Sequence, residues 1–73
     1  MDDYELKKRS IIIAGHATSV TLETIFWQAF RHIAKEQGLS VGDLATQIDE
    51  ERHSNLSSAI RVYVLKYYQD LKA

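Results

Sequence analysis

The sequence predicts a mainly α chain led by a short N-terminal β ribbon. Three observations predict it. Ile11, Ile12, Ile13, Thr18, Val20 and Thr21 concentrate β-branched residues ahead of Glu23, and such residues favour strands. From Glu23 onward apolar residues recur at helical rather than alternating spacing. Gly38 and Asn55 then interrupt that stretch with residues suited to ending one helix and starting another. At 73 residues the chain has room for one domain.

The ribbon is expected as two strands, about residues 10–14 and 17–22, with Gly15-His16 interrupting them; one long bent strand is the alternative. Within the second strand Val20 and Leu22 point to one face and Ser19 and Thr21 to the other. Residues 1–6 are expected to be a flexible lead-in, and 7–73 the domain. The first helix, about 23–37, carries the stripe Phe26, Ala29, Phe30, Ile33. Thr21 is its expected N-cap, and Glu23 suits the positive first turn. Gly38 stands where the C-terminus wants a left-handed residue. Ser40-Val41-Gly42-Asp43 is a capping-box variant that opens a second helix, about 40–52, with Val41, Leu44, Ala45 and Ile48 inward. Asn55 caps a third helix, about 55–71, with Leu56, Ile60, Tyr63, Val64, Tyr67 and Leu71 as its core face.

A chain this small buries only about 60% of its unfolded surface and is marginal alone. The usual reinforcements are disulfides, metals or oligomerisation. There is no Cys, so disulfides and thiolate zinc sites are excluded. His16, His32 and His53 have no helical i, i+4 spacing, and no metal or cofactor is expected. A homodimer is therefore expected. The longest apolar runs, Ile11–Ala14 and Val62–Leu65, are far too short for a membrane span. The N-terminus is acidic before it is basic, so no secretory signal is read and a cytoplasmic protein is expected. No nucleophile elbow, phosphate loop or metalloprotease motif is present, and no enzyme is expected.

The 9 Lys and Arg residues nearly balance the 10 Asp and Glu residues, but they are segregated. Lys7-Lys8-Arg9 precedes the ribbon, whereas Glu36, Asp43, Asp49, Glu50 and Glu51 gather in the stretch from Glu36 to Arg52, mostly on the second helix. The basic run suits phosphate contact; its alternative role is a solvated strand edge that discourages aggregation. Arg61 suits a phosphate or an acid of the Glu50-Glu51 cluster, the internal pair being favoured. Tyr63, Tyr67 and Tyr68 are read as packing rather than base stacking.

The stretches Arg9–His16, Thr18–Glu23, Phe26-Trp27, Gly38-Leu39-Ser40-Val41 and Asn55–Arg61 resemble the ribbon-helix-helix family of DNA-binding dimers. More narrowly, they look like a subfamily of short bacterial proteins, mostly alphaproteobacterial. The resemblance implies an intertwined homodimer whose ribbon enters the major groove, acting as a transcriptional regulator or antitoxin. It implies base reading from Ala17, Ser19 and Thr21, and phosphate contacts from Lys7, Lys8, Arg9 and the helix start Ser40-Val41-Gly42. The shared dimer core would come from Val20, Leu22, Phe26, Trp27, Phe30, Ile33, Leu44 and Ile48. Two features set this chain apart: all three reading positions are short, and a third helix is added. The alternative is therefore a scaffold whose second or third helix recruits a protein partner.

Overall fold

The computed structural model describes residues 2–51 and 54–72. Arg52, at the expected end of the second helix, and His53 lie outside that set. The element order is β1 (Leu6–Ile13), β2 (His16–Glu23), α1 (Thr24–Glu36), α2 (Val41–Glu51) and α3 (Leu56–Leu71). The two strands form one antiparallel hairpin, registered from Leu6 opposite Glu23 to Ile13 opposite His16. This resolves the hairpin against the long bent strand. The strands are longer than expected: β1 begins at Leu6, and His16 opens β2 rather than sitting at a loop tip. Ala14 and Gly15 alone make the turn, both with positive φ, 50° and 84°. A two-residue loop of that kind matches the natural twist of paired strands.

The hairpin register also explains how α1 starts. Thr21 is not its N-cap, because β2 runs on to Glu23, and Glu23 itself makes no side-chain cap. Instead, pairing Leu6 with Glu23 carries the preceding backbone to the helix start. The Thr24 N–H donates to the Glu5 carbonyl at 2.9 Å and the Ile25 N–H to the Asp3 carbonyl at 3.1 Å. Residues 3 and 5, expected in a flexible lead-in, thus supply the acceptors that a helix N-terminus needs. At the other end, Gly38 N–H donates to Lys35 O and Leu39 N–H to Ala34 O, the paired bonds of a Schellman cap. The forward half of the second helix's box forms, Asp43 N–H donating to Ser40 Oγ at 3.0 Å. Asn55 caps α3 through Oδ1, which accepts from Ser58 N–H at 2.8 Å.

The core lies between the inner face of the hairpin and the three helices. Leu22, Phe30, Ile33, Leu44 and Ile60 are its largest fully buried side chains, joined by Ile11, Ile13, Val20, Ile48 and Val64. Leu71, expected on the core face of α3, is the last residue of that helix and is 64% exposed. Gln37 Nε2 donates to Tyr63 Oη at 2.8 Å, tying the end of α1 to α3. No helix among the described residues is long and apolar enough to cross a membrane.

Candidate nucleic-acid interface

The hairpin presents two unlike faces, as a period of two requires. Inward are Ile11, Ile13, Val20 and Leu22, all buried. Outward on β2 are Ala17, Ser19 and Thr21, the three expected reading positions, all exposed. Opposite them on β1 stand Ile12, Ser10 and Lys8 respectively, also exposed. Sequence reasoning missed this second row of the outer face. Three consecutive isoleucines hide the alternation that separates Ile12 from its neighbours.

The same alternation divides the basic run. Lys8 lies on the outer face, and among the described residues it has no ion-pair partner. Lys7 and Arg9 point the other way, opposite Leu22 and Val20. Lys7 pairs with Glu5 at 3.5 Å. Arg9 is half-buried with its guanidinium 5.5 Å from the centre of the Trp27 ring, and its Nε is buried without a hydrogen-bond partner among the described residues. A cation over an indole face is attractive, which holds Arg9 on the inner side. Of the three bases, Lys8 alone stands ready for a ligand at the outer face.

Both edges of the hairpin meet a helix start. α2 approaches β1 so closely that a Cβ on Gly42 would lie 2.5 Å from the Ile12 carbonyl oxygen; only glycine fits there. Thr46 Oγ1 fastens the turn by accepting from Ala14 N–H at 3.2 Å. The expected phosphate-gripping segment Ser40-Val41-Gly42 therefore does flank the ribbon, and a cleft of about 410 Å³ separates it from Ser10, Ile12 and Trp27. The exposed carboxylate of Asp43 shares that helix start, where it already complements the helix dipole.

On the opposite edge, Thr21 N–H points away from β1 and donates to Ser57 Oγ at 3.2 Å. Two residues on, Arg61 Nε donates to Glu23 Oε1 at 2.8 Å. Arg61 is thus held internally, but by Glu23 rather than by Glu50 or Glu51. The Arg61 hydrogen bond, then the backbone amide of Glu23 itself, holds the Glu23 carboxyl below the usual glutamate range.

Of the residues expected to build a core shared across a dimer, Val20, Leu22, Phe30, Ile33, Leu44 and Ile48 are buried within the single chain, and Phe26 and Trp27 are half-buried against the same cluster. The aromatic residues serve packing: Trp27 lies 6.3 Å from Phe30 and Tyr67 meets Tyr68 edge-on at 5.3 Å. His32 sits 3.5 Å from Glu36 on α1. No group of three His, Cys, Asp or Glu side chains among the described residues is arranged to hold a metal ion.

The family model of the ribbon-helix-helix domain matches residues 6–68, from the first residue of β1 into the last turns of α3. The chain belongs to the ribbon-helix-helix family. Proteins of this family generally bind DNA as dimers, in transcription regulation or in toxin–antitoxin systems. Among solved structures, an uncharacterized protein from Bordetella pertussis Tohama I is similar, with a TM-score of 0.74 and 32% identity over 92% of this chain. The chain spans 58% of the length of that protein. No curated protein matches it. In this ribbon-helix-helix chain, then, the outer face of an intrachain hairpin is the candidate nucleic-acid interface.

Proposed function

We propose that this ribbon-helix-helix protein is a homodimeric, non-enzymatic transcriptional regulator of the cytoplasm that inserts its hairpin into the major groove of double-stranded DNA. The observation that carries this reading is the exposed outer face, with Lys8 unpaired on it and the start of α2 beside it. A two-stranded ribbon fits the width of the major groove. Ser19 and Thr21 are base-edge donors and acceptors; Ala17 is an apolar contact. Lys8 and the amides at Ser40-Val41-Gly42 supply the contacts to phosphate. Lys7 and Arg9 contribute less, because one is paired with Glu5 and the other is held over Trp27.

The test is binding of a fluorescent duplex measured across a salt series. Affinity is expected to fall steeply with salt. Lys8→Ala is expected to weaken binding to all sequences and to reduce the salt slope by about one phosphate contact. Lys7→Ala is expected to leave that slope nearly unchanged. Absence of duplex binding at low salt would overturn the reading.

A second reading has its own observation. Ile25, Phe26, Ala29, Val64, Leu65 and Tyr68 line a wholly apolar groove of about 250 Å³ between α1 and α3, with Ile25 50% and Leu65 56% exposed. An apolar groove between helices suits a protein ligand, as in a scaffold or antitoxin-like dimer. A stoichiometric protein partner, recovered with no enriched DNA, would decide for that reading.

A further inference from the structure

The outer face of the hairpin is graded along its length. Nearest the turn Ile12 stands opposite Ala17, next comes Ser10 opposite Ser19, and then Lys8 opposite Thr21. From the turn to Lys8 the face therefore runs from apolar through hydroxyl to cationic, and the last pair beyond it is Leu6 opposite Glu23. Ile12 is its unexpected member. It is 62% exposed, while Ile11 and Ile13 on either side are buried. The core does not use it, and a large apolar side chain on an open strand is an aggregation hazard that proteins usually manage.

What can cover Ile12 is restricted by its surroundings. Its carbonyl oxygen faces Gly42 in the first turn of α2, so no further strand can pair with β1 at that position. A partner must approach the sheet face-on. Lys8 has no ion-pair partner among the described residues, and Glu23, the acid on that face, is held by Arg61, so the free cation favours a polyanion over an apolar protein surface. Among the base-edge features exposed in the major groove, the apolar one is the thymine 5-methyl group, which apolar side chains contact.

We infer that Ile12, together with Ala17, forms a thymine-methyl contact, so that β1 of the hairpin reads A·T pairs alongside β2. The inference rests on the DNA-binding reading above and adds to it a specificity-determining residue on the strand that precedes the expected reading positions. Ser19 and Ser10 in the middle of the face accept either base-pair type and add little discrimination. Removing one methyl group from water is worth about fourfold in affinity.

The experiment compares, at low salt, binding of the full chain to an alternating dA–dT duplex and to the same duplex with deoxyuridine in place of thymidine. The swap deletes only the methyl groups and requires no protein variant. The unaltered chain is expected to bind the deoxyuridine duplex about fourfold more weakly for each methyl in contact. Ile12→Ala is expected to show a smaller difference between the two duplexes than the unaltered chain, and Ile12→Val to keep the preference. Ile12 is exposed, so both variants should fold, which circular dichroism checks. Equal affinity of the unaltered chain for the two duplexes overturns the inference, as does an undiminished preference in Ile12→Ala; either result leaves DNA binding intact. Failure to bind either duplex brings down the DNA-binding reading and this inference with it. A protein ligand whose affinity depends on Ile12 would reassign the face and overturn the inference as well.

Discussion

The inner and outer faces of the hairpin use the same backbone and alternate residue by residue, yet they answer to different demands. The inner face, with Ile11, Ile13, Val20 and Leu22, is closed against three helices and has no freedom to vary. The outer-face side chains of Lys8, Ser10, Ile12, Ala17, Ser19 and Thr21 are exposed and lie outside the buried core. One strand pair can thus hold the fold together with one row of side chains and meet a ligand with the other. The division is enforced by the pleat, because a slip of one residue would exchange the two rows.

This comparison can be broken most directly at Leu22. Leu22→Ala empties a fully buried position and is expected to destabilise the chain by about 2–5 kcal/mol. The matched outer change, Ser19→Ala, should fall within about 0.5 kcal/mol of the parent. Denaturant unfolding measures both, and a costly Ser19→Ala would show that the outer face also carries the fold.

A smaller effect tests what holds the faces in place. Gly42→Ala gains helix propensity of about 1 kcal/mol, but the new Cβ would press on the Ile12 backbone at 2.5 Å. Neither the strand nor the helix backbone can yield cheaply, so a net loss of about 1–3 kcal/mol is expected. A stabilised variant would mean that α2 does not brace this edge as described.

The weakest effect concerns the opposite edge and its pH dependence. Because the Glu23 carboxyl is held below the usual glutamate range by Arg61, its contribution to stability is present above that range. It is lost as pH falls through the lowered value of the folded state. The pair is about a third exposed, so water screens it and the effect is small. Unfolding measured from neutral to acidic pH should therefore show a shallower acid loss in Arg61→Met than in the parent. Identical slopes would remove the ion pair from the account.

Much of this organisation is legible in the sequence because it is local. The stripe from Phe26 to Ile33, the Gly38 cap, the Asn55 cap and the alternation of Val20 and Leu22 all depend on neighbours within a few residues. What is not legible depends on partners brought from afar. Leu6–Arg9 is charged and a poor strand by composition; pairing with Val20–Glu23 makes it one. The α1 start takes its acceptors from residues 3 and 5, which no capping rule anticipates. Arg61 finds Glu23 across 38 positions, and sequence exhibits the charges without the pairing. Of the expected reading positions, which the family resemblance implies, the outward facing of Ser19 and Thr21 is legible from the alternation of β2 alone. Ile12 and the separation of Lys8 from Lys7 and Arg9 needed the start of β1.

The joining of β1 and β2 by Ala14 and Gly15 alone also has a kinetic meaning. A hairpin closed by so short a turn forms by local chain diffusion, in about 1–10 μs, with no search for a second molecule. The pairing of β1 with β2 is thus intramolecular. Subunit association would set how many ribbons act together on one duplex, and so the avidity, while each ribbon is paired within its own chain.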